Sequence, residues 1–125
     1  MAKLKDIVFD CRQAASLARF WEAALESYAI RPYDADEIER LAGLDLTPET
    51  DPTVALDGPG PTLFFQEVPE SKTVKNRLHL DLTARDRSGE ADRLQELGAS
   101  VLAAFEDHTI LADPEGNEFC ISDAG

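Results

Sequence analysis

The chain has 125 residues, room for one domain with its own hydrophobic core. Hydrophobic residues make up 43% and charged ones 30%, the composition of an ordinary globular protein. With 25 acidic against 12 basic residues the net charge is -13, which excludes the basic footprint that nucleic acid or an anionic membrane demands of a partner.

No apolar run approaches the ~20 residues of a membrane span, and Met-Ala-Lys-Leu-Lys leads straight into a strand pattern without an apolar signal core. A cytoplasmic protein is expected. Its two cysteines, Cys11 and Cys120, are then free thiols, although one disulfide is also compatible with the sequence.

Residues 4–10 read as the first strand. Alternation sends Ile7 and Phe9 to one face and Asp6, Val8 and Asp10 to the other. Asp10 is a candidate cap for a helix over 13–27. In that helix Ala14, Leu17, Ala18, Trp21, Ala24, Leu25 and Tyr28 recur at three- and four-residue spacing, one apolar stripe to lay on a sheet. Trp21 falls within the stripe and reads as core; Phe20 sits at its edge.

A short strand follows at 30–33. Asp34 with Glu37 resembles a capping box, and Ile38, Leu41 and Ala42 give a short helix that stops at Gly43. That helix is either a lid over a pocket or a plain connector. Strands are expected at 53–56 and 62–68, joined by the turn Asp57-Gly58-Pro59-Gly60-Pro61. In the second of these Phe64 and Gln66 share one face, and Leu63, Phe65 and Glu67 the other.

Residues 76–83 alternate polar and apolar side chains with a period of two. Leu78, Leu80 and Leu82 point to the core, while Arg77, His79 and Asp81 point together to the opposite face. His79 there is either a solvated surface histidine or a site residue. Asp86 is placed to cap a helix running to Leu97, with Ala91, Leu94 and Leu97 buried and Gly98 as its left-handed end. Strands at 100–105 and 109–112 flank a turn at Glu106-Asp107-His108, where His108 is most simply solvated. Asp113-Pro114-Glu115-Gly116 turns the chain into a last strand at 117–122.

The same order, strand then helix then three strands, thus fills 4–68 and again 76–123. We expect an α+β fold in one domain over 1–125. Its two βαβββ modules form a cup-shaped, half-open mixed β-sheet with helices on the outer face. The concave surface between the halves is the expected pocket.

At this point the residues resemble the vicinal oxygen chelate superfamily, the glyoxalase, bleomycin-resistance and dioxygenase group, and in particular its small actinobacterial glyoxalase-like domains. The likeness rests on Phe20-Trp21, on Phe64-Phe65-Gln66-Glu67-Val68-Pro69-Glu70 and on Lys75-Asn76-Arg77-Leu78-His79-Leu80-Asp81-Leu82. It continues through Leu97-Gly98-Ala99 and Asp113-Pro114-Glu115-Gly116-Asn117-Glu118-Phe119-Cys120. The resemblance covers nearly the whole chain. It implies the fold more strongly than the reaction, since that superfamily hosts isomerases, dioxygenases, thiol transferases and pure binders.

Metal-dependent members carry ligands on the first and last strand of each half. The resemblance puts Asp6 where the first-strand histidine often stands, Gln66 at the acidic position of the fourth strand and His79 at the fifth-strand histidine. Cys120 takes the place of the glutamate four residues after the turn glycine, and Glu118 lies two residues earlier on the same strand face. One standard ligand is kept and three depart. If Asp6, Gln66, His79 and either Cys120 or Glu118 hold a divalent metal (Zn, Fe, Mn or Ni), the thiolate of Cys120 with the imidazole of His79 favours Zn²⁺. Without metal, His79 flanked by Asp81 and Glu118 is a candidate general base, with His79 and Glu118 as the catalytic pair. Val8, Phe64, Gln66, Arg77, Asp81 and Cys120 are the expected substrate contacts. Cys120 acts as a nucleophile only if His79 or Arg77 lowers its pKa; otherwise it is inert filler.

Two functions follow from the resemblance. One is a metal-assisted lyase, isomerase or dioxygenase acting on an oxygen-rich small molecule. The other is a non-catalytic protein that sequesters a small, drug-type molecule. The resemblance also implies a homodimer.

Overall fold

The computed structural model describes residues 1–124. It contains three helices and eight strands, in two compact units that begin at Met1 and at Lys72. Each unit is one open, four-stranded mixed sheet covered on one face by a helix. The α+β class and the repeated βαβββ order are as expected.

The first unit runs β1 (Asp6–Cys11), α1 (Ala14–Ala24), β2 (Ala29–Ile30), α2 (Ala35–Ala42), β3 (Thr53–Asp57) and β4 (Thr62–Glu67). Its strand order is β1-β4-β3-β2, with β1 and β4 parallel and the rest antiparallel. The period of two puts Phe9, Leu63, Phe65, Val54 and Leu56 on the helix-covered face, where α1 adds Leu17, Ala18 and Trp21. Phe9 stacks on Phe65 with ring centroids 5.0 Å apart and lies 5.8 Å from Trp21. Phe20, expected at the boundary, is buried and meets Trp21 edge-on. Each such large side chain contributes about 1.5–3 kcal/mol by leaving water.

Asp10 does not cap α1. Gln13 holds the cap position without a side-chain bond, and the free N–H of Ala14 goes instead to Glu67 Oε2 at 3.3 Å. The parallel register sets Glu67 beside Cys11, nearer the helix start than Asp10. The short helix forms as read, but only half of the capping box does: Asp34 accepts from Glu37 N at 2.8 Å, while the Glu37 carboxylate turns to Arg40. Of the expected apolar face Leu41 alone is buried, and Ile38 and Ala42 are exposed. Its segment is fastened at both ends, because Tyr33 donates to Asp51 and Asp51 also accepts from Thr53 N.

The second unit runs β5 (Leu80–Ala84), α3 (Arg87–Glu96), β6 (Ser100–Ala104), β7 (His108–Ala112) and β8 (Glu118–Asp123). The order β5-β8-β7-β6 repeats the topology of the first sheet, again with the first and fourth strands parallel. Leu94, Leu111, Phe119 and Ile121 are its buried centre. Asp86 caps α3 by accepting from Gly89 N at 3.0 Å, and Gly98 takes φ +120° after the helix. Arg87 reaches from α3 to Asp123 and to the carbonyls of Phe105 and Glu106, pinning the β6–β7 hairpin.

Three expectations change here. The strand read over 76–83 begins only at Leu80, because Asn76 Nδ2 bonds Leu78 O at 3.2 Å and bends the chain out of the ladder. Leu78 is therefore exposed rather than core, and Arg77 sits in that bend. Leu97 is also exposed, since α3 buries only Ala91 and Leu94. His108 opens β7 instead of ending a turn, and pairs with Asp107 at 2.7 Å.

Candidate functional site

The parallel register of β5 with β8 sets Asp81 against Cys120 and Thr83 against Ser122, on the sheet face that Leu80, Leu82, Phe119 and Ile121 leave free. His79 stands one residue ahead of β5. Its Nε2 lies 3.4 Å from Asp81 Oδ1. One ligand atom each from His79, Asp81 and Cys120 falls within 4.8 Å of the others. Cys120 is half-buried, while His79 and Asp81 are exposed. Burial foremost, and then the Asp81 carboxylate, push the Cys120 thiol above its ordinary value, with Lys75 opposing. The resting thiol therefore keeps its proton, which a cation would displace. It is not an activated nucleophile.

Glu118 is differently engaged. It accepts from Lys72 Nζ at 2.8 Å, from Asn76 N at 3.0 Å and from Lys75 Nζ at 3.3 Å. These bonds, that of Lys72 first, lower its carboxyl to about 2. Such a group stays ionised near neutral pH and is a weak proton acceptor there. Among the described residues no ion pair joins Glu118 to His79. A role for Glu118 as partner base to His79 does not follow from this arrangement.

In the first unit Asp6, Val8, Phe64 and Gln66 share one sheet face, as read. The register places Asp6 against Thr62 and Asp10 against Gln66. Asp6 and Gln66 are thus four strand residues apart, about 13 Å, and do not converge on one ion. Val8 lies beside Phe64, and the Arg31 guanidinium sits 5.7 Å over the Phe64 ring. Arg31 is itself held by two 2.9 Å bonds to Asp57, which also accepts from Thr62. The result is a small apolar face capped by a fixed cation. Arg77 stands with Val74, Lys75 and Asn76 along an open hollow of about 710 Å³.

The pairing of His79 with Asp81 is visible in the period of two. The part played by Asn76 is not, because its partner Glu118 lies 42 residues away. Asp81, read as a substrate contact, stands among the metal-type donors.

A family model described as a glyoxalase-like domain matches residues 6–122. The chain belongs to the glyoxalase-like family. Solved structures repeat its fold at low identity. The fosfomycin resistance protein FosX from Mesorhizobium loti is 12% identical, with a TM-score of 0.69 over 100% of this chain and 94% of that one. A glyoxalase/bleomycin resistance protein/dioxygenase family enzyme from Burkholderia phytofirmans is 15% identical, with a TM-score of 0.65 over 98% of each. A glyoxalase family protein from Bacillus cereus is 14% identical, with a TM-score of 0.62 over 98% of this chain and 94% of that one. No curated protein matches. At these identities the likenesses show a shared fold. No helix among the described residues is long and apolar enough to cross a membrane.

The donor set can be tested against a metal. Around a tetrahedral Zn²⁺ neighbouring ligand atoms stand about 3.5 Å apart. The three donors of this glyoxalase-like chain start within 4.8 Å, and two of the three side chains are exposed and able to close in. Imidazole, carboxylate and thiolate together suit Zn²⁺ better than Mn²⁺ or Mg²⁺. Three protein ligands also leave a coordination position for a small molecule. The residues fit the group.

Proposed function

We propose that this glyoxalase-like protein binds a small, oxygen-rich molecule and assists its isomerisation, lysis or oxygenation with a divalent metal held by His79, Asp81 and Cys120. The observation that carries the reading is the convergence of those three donors on one sheet face. When bound, the metal would polarise an oxygen of the substrate. The protein's own part is to supply the donors and to give up the Cys120 thiol proton as the cation enters. Half-burial of Cys120 screens that sulfur only in part from bulk water.

A second reading, sequestration without chemistry, is favoured by the face of Val8, Phe64 and Arg31, which needs no metal to hold an apolar ligand. The two are separated by metal analysis of the purified protein together with His79→Ala. Stoichiometric metal that the substitution removes supports the metal-assisted reading. Metal-free protein whose ligand binding survives His79→Ala supports sequestration and ends the first.

The proposal extends to a homodimer working in the cytoplasm. Cys11 and Cys120 are not joined in a disulfide, the state a reducing compartment keeps. The edge strand β6 presents Val101 and Leu102 to solvent, a surface suited to a second copy. Sedimentation as a monomer at micromolar concentration would refute the dimer.

A further inference from the structure

We infer that Asn76 and Glu118 are positioning residues that lock segment 72–79 onto the start of β8 and so hold His79 at Cys120. The segment has no helix or strand of its own, and all but one of its residues are exposed. A chain of this kind is ordinarily the least ordered part of a fold. Here it ends in the imidazole that the metal reading requires, and something must fix it.

The fixing contacts are reciprocal. Asn76 N donates to Glu118 Oε2 at 3.0 Å, and Glu118 N donates to Asn76 Oδ1 at 3.0 Å. That pair continues the β5–β8 pairing outward by side-chain bonds where the backbone ladder has ended. Asn76 Nδ2 then holds Leu78 O, one residue before His79. Lys72 and Lys75 close on the same carboxylate from either side of the exposed Val74. Glu118 lies two residues before Cys120 on β8. One strand therefore carries both the sulfur donor and the anchor of the segment that delivers the imidazole.

Lys72 and Asn76 have no other part in the proposed site. Outer-shell partners of ligating side chains change metal affinity by about 10- to 100-fold when removed, and Asn76 acts one residue from the ligand, on Leu78 O. The consequence for metal rests on the function proposed above, but the lock itself does not.

Two measurements separate them. Asn76→Ala and wild type are titrated with Co²⁺, reading the thiolate-to-cobalt absorption band. Amide hydrogen exchange is followed in the metal-free proteins at residue 76, whose N–H is bonded to Glu118 Oε2, and at Leu80. We expect Asn76→Ala to keep its fold, to bind Co²⁺ about 10-fold more weakly, and to exchange at the residue-76 amide much faster than wild type. Unchanged exchange overturns the lock, whatever Co²⁺ does. Faster exchange with unchanged Co²⁺ affinity also overturns the positioning role. If wild type gives no cobalt band, the metal reading has failed, and faster exchange in the variant still supports the lock. If Asn76→Ala does not fold, Glu118→Gln decides by the same readouts. It frees Lys72 and Lys75 but leaves an acceptor for Asn76, so a smaller change in the same direction is expected, and none at all overturns the proposal.

Discussion

Asp81 and Cys120 stand side by side in the parallel pairing of β5 with β8, and this puts a hard oxygen donor next to a soft sulfur one. In the proposed metal site that mixture would set the preferred cation. Thiolate draws Zn²⁺ far more strongly than Mn²⁺ or Mg²⁺, whereas a hydroxyl in its place supplies only a weak neutral ligand. Cys120→Ser should therefore weaken Zn²⁺ binding by 10-fold or more, with little change in thermal stability. Competition against a chromophoric chelator measures this. Equal Zn²⁺ affinity in the two proteins would remove Cys120 from the site.

The start of α1 gives a second prediction. Glu67 on β4 accepts from the free N–H of Ala14, and Asp10 does not take part. Loss of a helix cap costs about 0.5–2 kcal/mol. Urea denaturation of Glu67→Ala should show a loss of that size. Asp10→Ala, at an exposed position, should stay close to wild type. The reverse order of stabilities would contradict the assignment.

The misplaced cap shows where sequence reading ends. The helical stripe through Leu17 and Trp21 and the alternation of Leu63, Phe64, Phe65 and Gln66 are local patterns, and burial enforces them wherever the chain folds at all. Asp34 and Asp86 cap helices three residues away, within the reach of a sequence motif. Glu67 and Ala14 are 53 residues apart and meet only through the β1–β4 register. The extended reading of 76–79 failed for a similar reason. Asn76 is engaged by Glu118 from the far end of the unit, and its side chain then bends the chain at Leu78. His79 and Asp81 were legible as a pair, and the third donor of their group comes from a strand that no local pattern ties to them. Asp6 and Gln66 were placed on the right face, but only the register shows that they lie too far apart to share an ion.

The turn between β3 and β4 is built around Tyr28. Its hydroxyl donates to Pro61 O at 3.0 Å. A Cβ on Gly58 would stand 2.5 Å from Tyr28 Cγ, inside a rigid ring that cannot swing aside as a chain end would. Gly58→Ala should cost roughly 1–3 kcal/mol, the range for overpacking. Gly43 is the contrast: it is right-handed helical at φ -64°, and its added Cβ would meet nothing closer than 3.5 Å. Gly43→Ala should stabilise by about 0.4–1 kcal/mol through the unfolded chain. Thermal melts of both variants check the opposed signs.

Tyr33 predicts how the fold responds to alkali. Its hydroxyl donates to Asp51 Oδ2 at 2.8 Å, and Asp51 is buried. Burial first, and then the bond and charge of Asp51, raise the phenol above its ordinary value. In the unfolded chain the proton leaves near pH 10. Above that pH the unfolded state holds fewer protons than the folded one, so stability falls as pH rises. The contribution is complete below about pH 10 and is lost as pH climbs towards the raised folded value. Tyr33→Phe removes the titrating group and leaves Asp51 Oδ2 without its donor, a cost of about 1–3 kcal/mol near neutral pH. Urea midpoints of the two proteins should therefore differ most near neutrality and converge in strong alkali. Parallel midpoints across that range would mean that the Tyr33 proton is not held by the fold.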